Sequence, residues 1–229
     1  MIEFENVSVR YANGYQALND VSFTVPDGAL HFLTGHSGAG KTTLLRLIPR
    51  LLCCTRGSVR IAGEDLSAIT DSKLPYFRRK IGVVFQEPHL IEERNTFENV
   101  AATLEVIGIP PREIKRRVRA ALDKVGLGRK ETVMPDTLSA GEKQRLALAR
   151  AVVNKPDLVI ADEPTGNLDP TLADEMFDLL REFNKVGVSL LIATHDITRI
   201  ARLPYRILTL KDGQMSNQPT LNNEAVEAE

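Results

Sequence analysis

Tryptophan is absent, aromatic residues make up only 5% of the chain, and cysteine occurs only as the adjacent pair Cys53-Cys54. Two neighbouring thiols cannot staple distant elements and lack metal-ligand spacing. That excludes a disulfide framework or zinc module and fits a reducing compartment. Surplus charge is missing as well: 29 Lys and Arg stand against 30 Asp and Glu, a net charge of −1. Without a basic footprint the electrostatic case for a nucleic-acid partner is poor. No apolar run reaches the roughly 18 residues of a membrane span, and no charged-then-apolar export segment opens the chain. The expectation is a chain that neither crosses a membrane nor follows that export route. Its 229 residues suffice for one large α/β domain or a core domain carrying a subdomain.

What is present is a glycine-rich loop in an informative context. Gly35-His36-Ser37-Gly38-Ala39-Gly40-Lys41-Thr42, with Thr43 next, follows the apolar run Ala29 to Thr34 and opens the run Leu44 to Ile48. Strand, glycine loop and helix in that order are the context of the phosphate-binding pattern G-x-x-x-x-G-K-[ST]. Its four fixed positions should arise by accident in about one chain in a hundred of this length. Glycines let backbone N–H groups close around phosphate oxygens where a side chain would clash. The helix start adds the positive end of its dipole. Lys41 is expected to reach the β- and γ-phosphates, and the Thr42 hydroxyl to ligate Mg²⁺. The implied ligand is a nucleoside triphosphate with its magnesium.

Around this loop the patterning changes along the chain. Residues 2–11 and 17–25 alternate loosely with period two, and 58–61 and 81–85 are short strand-like runs. From about Thr96 to Val153 the spacing is helical, with Val100, Leu104 and Ile107 in register, then Val118, Leu122 and Val125. Residues 157–162 and 188–194 read as strands buried on both faces of a parallel sheet. Pro170 to Asn184 predicts a helix between them, and Arg206 to Met215, enclosing Asp212-Gly213, predicts a hairpin. Together these predict an α/β fold of one domain over 1–215, with a helical subdomain over about 87–153. The polar tail, 216–229, is expected to be disordered.

Leu158 to Ala161 followed by Asp162-Glu163 sets two carboxylates at the carboxyl end of a buried strand, the edge of an α/β sheet where ligands bind. Asp162 suits the Mg²⁺ shell, and Glu163 suits accepting a proton from attacking water. An acidic turn before Pro164 is the weaker alternative in a chain with a phosphate loop. Leu138-Ser-Ala-Gly-Glu-Lys-Gln144 precedes a helical pattern, and taken alone Ser139 is an N-cap. Placed 23 residues before Asp162, it resembles the Leu-Ser-Gly-Gly-Gln signature of the ATP-binding cassette (ABC) ATPases.

The resemblance extends over nearly the whole chain. It implies a P-loop NTPase fold with a RecA-like core, an antiparallel β subdomain and an inserted α-helical subdomain. It also implies that Tyr11 stacks on adenine, that residues 35–43 wrap the phosphates, and that Gln86 links two lobes beside the metal. Asn167-Leu168-Asp169 would meet an opposite subunit, and His195 would touch the γ-phosphate. Each has a structural alternative: Tyr11 as core, Gln86 as strand end, Asp169 as helix cap, His195 as surface histidine. Because such subunits pair head to tail, Ser139 and Gly141 would contact the ATP of a second copy. Catalysis would rest on Lys41, Glu163 and His195. Two positions depart from the signature: Ala140 stands for a glycine and Glu142 for a glutamine. Ala140 adds a methyl near where the partner's triphosphate would pack and Glu142 adds a charge, so an assembled but slow site is expected.

Residues 32–41, 150–156, 161–169 and 183–188 are similar to the bacterial cell-division branch of that family. The branch implies an integral membrane partner resembling FtsX, further division proteins, and a peripheral position on the cytoplasmic face of the inner membrane. Its output would be activation of cell-wall hydrolases at the septum. Lipoprotein-release and efflux cassettes are the alternative within the family. A GTPase switch is the alternative outside it, since Asn154-Lys155-Pro156-Asp157 matches Asn-Lys-x-Asp, but that segment precedes its strand, at the wrong end of the sheet. The cluster Lys115-Arg116-Arg117-Arg119 reads as a solvated helix face, because Glu113 and Asp123 share that helix.

Overall fold

The computed structural model describes residues 1–216. Loose alternation in β1 (Ile2–Arg10) and β2 (Gln16–Val25) buries Ile2, Phe4, Val7 and Val9 on the first strand and Leu18, Val21 and Val25 on the second. The two pair antiparallel, and β4 (Arg56–Ile61) with β5 (Glu64–Asp65) completes a sheet in the order β2-β1-β4-β5. A second sheet holds β3 (Leu30–Thr34), β6 (Ile81–Val84), β7 (Leu158–Asp162), β8 (Ser189–Ala193), β9 (Arg206–Lys211) and β10 (Gln214–Met215). Its order is β10-β9-β3-β8-β7-β6, parallel except for β10. All of β3 and β8, and β7 up to its last residue, are buried. That explains their unbroken apolar runs: both faces are covered.

Parallel neighbours deliver their carboxyl ends to one edge, and this positions the candidate side chains that follow β3, β6, β7 and β8. After β3 the chain forms the glycine loop and α1 (Lys41–Leu47), and shortly after β6 it reaches Gln86. Strand β7 ends at Asp162, and β8 leads to His195 and α7 (Ile197–Ile200). Segments more than 150 residues apart in sequence thereby share one sheet edge.

The helical stretch resolves into α3 (Thr96–Val106), α4 (Pro111–Lys124) and α5 (Ala140–Val152), after the short α2 (Leu74–Arg78). Gly108 and Gly126 both adopt positive φ just past helix ends, where glycine relieves the Cβ penalty. Val100, Leu104, Val118, Leu122 and Leu146 pack in one cluster with Phe32, Leu190 and Ile192 of the sheet and Phe177 of α6 (Pro170–Lys185). The helical lobe therefore shares a core with one sheet face. The other face packs with α1 and the antiparallel sheet through Leu33, Leu44, Phe4 and Val59. The expectation for the tail falls, from residue 217 onward, outside the described residues.

Candidate functional site

Close backbone approach shapes the glycine loop. A Cβ on Gly35 would lie 2.2 Å from the Leu210 carbonyl oxygen. At Gly40, where φ is 107°, it would lie 2.6 Å from the carbonyl oxygen of Ala17. Neither position tolerates a side chain, and at Gly40 the left-handed backbone adds its own demand for glycine. Lys41 Nζ donates to the carbonyls of Gly35 (2.8 Å) and His36 (3.3 Å) and lies 3.9 Å from Glu163 Oε1. The Thr42 hydroxyl donates to Asp162 Oδ2 at 2.7 Å, joining the start of α1 to the end of β7.

Glu163 follows directly. Its N–H donates to the Ala193 carbonyl at 2.9 Å, and its φ of 49° lies in the left-handed region, which costs a non-glycine residue backbone strain. Its carboxylate Oε2 accepts from the His195 backbone N–H at 3.3 Å and lies 2.8 Å from His195 Nδ1. The Glu163 side chain is 12% exposed and that of His195 68%. With the Nδ1 proton directed at the carboxylate, a neutral ring keeps Nε2 as an acceptor.

These groups surround one cavity of about 590 Å³, bounded by residues 37–43, Gln86, Asp162, Glu163 and His195. Tyr15 and Ala17 also line it and escaped the sequence reading. The available signal for Tyr15 was a second tyrosine four residues after Tyr11, on the turn between two strands. Its ring is 55% exposed and stacks on Tyr11 at 6.4 Å. Tyr11 is set back from the wall, its hydroxyl 3.0 Å from Thr43 Oγ1. His36 also turns aside, with Nε2 3.0 Å from Asp212 Oδ1 and Nδ1 2.7 Å from the Ser37 carbonyl.

Ser139, Gly141 and Asp169 stand outside this cavity. Ser139 caps α5 by accepting from the Glu142 N–H at 3.3 Å, and Gly141 is buried against Leu172. Asp169 caps α6, accepting from the N–H groups of Thr171 and Leu172. The added charge of Glu142 has partners within this chain. It accepts from the Ser139 N–H at 3.1 Å and pairs with Lys130 at 2.6 Å. The Lys130 ammonium first, then the Ser139 N–H, holds the Glu142 carboxyl below the usual carboxylate range. In the basic cluster Arg117 pairs with Glu113 and Arg119 with Glu131. Asn154, of the GTPase-like segment, donates to the Arg79 carbonyl at 2.9 Å, at the opposite end of β7 from the cavity.

The sequence profile of the ABC transporter family matches residues 18–166. The cell division ATP-binding protein FtsE of Escherichia coli K12 is 50% identical over 215 residues, covering 94% of this chain and 97% of that protein. The FtsE of Bacillus subtilis 168 is 45% identical over 213 residues, 93% of each chain. Among solved structures, the ATP-binding cassette MJ0796, a dimer in a post-hydrolysis state bound to ADP and Pi, superposes with a TM-score of 0.87 at 33% identity. The alignment covers 96% of this chain and 99% of that one. By sequence and by shape, the chain belongs to the ABC transporter family, within its cell-division FtsE group.

Proposed function

We propose that this chain is the ATP-hydrolysing subunit of a division complex of the FtsEX type, working as a head-to-tail dimer on an integral membrane partner like FtsX. The observation that carries the reading is the convergence of Lys41, Thr42, Asp162, Glu163 and His195 on a single cavity. Five side chains from three strand ends have no packing reason to meet there. The cell-division role rests on the FtsE relatives. Pairing of two copies is supported by the dimeric cassette. An FtsX-like partner would hold the chain at the cytoplasmic face of the inner membrane and pass the ATP cycle to cell-wall hydrolases.

The donor set fits magnesium. Thr42 Oγ1 and Asp162 Oδ2 bring hydroxyl and carboxylate oxygens within 2.7 Å of each other, the hard oxygen chemistry Mg²⁺ prefers with phosphate and water completing its shell. Gln86, at the same cavity, offers a further oxygen. Bound there, Mg²⁺ would neutralise charge on the β- and γ-phosphates. Lys41, now on two loop carbonyls, would exchange them for phosphate oxygens and stabilise the charge of the transferring group. Glu163 would orient water and take its proton, held in place by His195 at Oε2. Ser139 and Gly141, standing off this cavity, would complete the site of a second copy. Nothing in the GTPase-like segment can read a base, because it lies at the far sheet end.

Purified chain should hydrolyse ATP in the presence of Mg²⁺, and its membrane partner should co-purify with it. A strong preference for GTP would refute the nucleotide assignment. Recovery of a lipoprotein-extracting permease in place of an FtsX-like protein would move the chain to the transport branch.

A further inference from the structure

Helix α7 has four residues, too few to hold itself together in isolation. Arg199, within it, reaches across to α6. Its Nη1 donates to the Pro170 carbonyl at 3.2 Å and pairs with the Asp174 carboxylate, while its Nε donates to Asp196 Oδ2 at 3.1 Å. The guanidinium carbon lies 5.9 Å from the Phe177 ring centroid. Pro170, Asp174 and Phe177 follow one another at four and three residues, so they form one stripe along the first turns of α6. The Arg199 side chain is 19% exposed and Asp174 70%, so the guanidinium lies beneath a solvent-facing partner. A planar fork holds its donors in fixed, spread directions that match these three acceptors, whereas an ammonium is a compact point charge without that geometry.

This fastening bears on the candidate chemistry. Asp196 caps α7 by accepting from the Arg199 N–H at 3.0 Å and is also an acceptor of the Arg199 fork. The residue before it is His195, whose backbone N–H and ring both engage Glu163 Oε2. The carboxylate is therefore located through His195 and Asp196 against α6, the helix that begins at Asp169. We infer that Arg199 is a positioning residue for Glu163: it clamps α7 onto α6 so that His195 presents two hydrogen-bond donors to the carboxylate. The inference rests on the ATPase reading and adds a residue that does not line the cavity.

The test compares full-length wild type with Arg199→Met, which keeps the apolar stem, and with Arg199→Lys, which keeps the charge without the fork. ATP turnover, ATP affinity and amide hydrogen exchange are measured on each. The Met variant should lose about ten-fold or more in kcat, since small misplacement of a reacting group is costly, with ATP Kd within about two-fold of wild type. Exchange should accelerate over residues 195–201 and stay unchanged in the glycine loop. The Lys variant should recover only part of the turnover. Wild-type kcat in the Met variant, unchanged exchange over 195–201, or ATP affinity falling in step with kcat would each overturn the assignment. Should Arg199→Met fail to fold, the Lys variant and Asp174→Asn carry the same comparison in the same direction. A wild-type chain that hydrolyses no ATP would count against the proposed function, while the exchange data would still decide whether Arg199 anchors α7.

Discussion

His31 makes the acid stability of this fold calculable. It sits on β3 in register with Leu191 of β8 and Arg206 of β9, is 6% exposed, and has no hydrogen-bond partner for either ring nitrogen among the described residues. Burial, reinforced by the Arg206 charge, pushes its pKa down from 6.5 to about 4. As the pH falls the unfolded chain takes up this proton first, so stability is intact above about pH 6.5 and is lost between there and about 4. The full loss is about 3 kcal/mol at 1.36 kcal/mol per pH unit. Between pH 7 and pH 5 the same two values give about 2 kcal/mol. Carboxylates held low in the folded state, such as Glu142, begin to matter only below that interval. Urea unfolding at pH 7 and pH 5, on wild type and on His31→Leu, isolates the contribution. The wild type should lose about 2 kcal/mol more than the variant over that step. Equal losses in the two proteins would show that the ring is protonated, or hydrated, in the native state, and the reasoning would fail.

Other consequences are simpler to state. Glu163→Gln should bind ATP normally, turn it over at least about a hundred-fold more slowly, and accumulate as a nucleotide-bound dimer on gel filtration. Normal turnover would remove Glu163 from its assigned role. Tyr15→Ala should weaken ATP binding while leaving tripolyphosphate binding unchanged, because the exposed ring lines the cavity beyond the loop; equal weakening of both ligands in a titration would contradict this. Gly82→Ala should destabilise the fold by about 1–3 kcal/mol through overpacking, since its Cβ would lie 2.6 Å from the Ala151 carbonyl oxygen; denaturant melts read this directly. Glu142→Ala, which breaks the capping box and the Lys130 pair, should cost about 1 kcal/mol in the same assay.

The candidate-site segments were readable because each carries its own local pattern. The glycine spacing around Lys41, the apolar run ending at Asp162 and the strand before His195 all announce themselves within a dozen residues. The order β3-β8-β7 was not readable. Neighbour choice between parallel strands is decided by long-range packing, for which a one-dimensional pattern has no symbol. The same limit hid the Lys130 partner of Glu142, twelve residues away, and the α6 acceptors of Arg199, up to 29 residues away. Without those partners Glu142 looks like an intrusive charge and Arg199 like any solvated cation. Tyr15 is hidden for a different reason: Tyr11, four residues earlier, already matches the family's aromatic position, so the local pattern does not single out the second tyrosine.

The glycine loop is completed from the far end of the chain. Gly35 abuts the Leu210 carbonyl, the Gly213 N–H donates to the Ala39 carbonyl at 3.0 Å, and the Gly213 carbonyl accepts from Asn19. On a translating ribosome, residues 35–43 emerge well before the hairpin that braces them. A nascent chain truncated before β9 should therefore fail to retain nucleotide, and competence should arrive only once the last two strands have docked. If so, vectorial synthesis would delay nucleotide binding until nearly the whole described chain has left the exit tunnel.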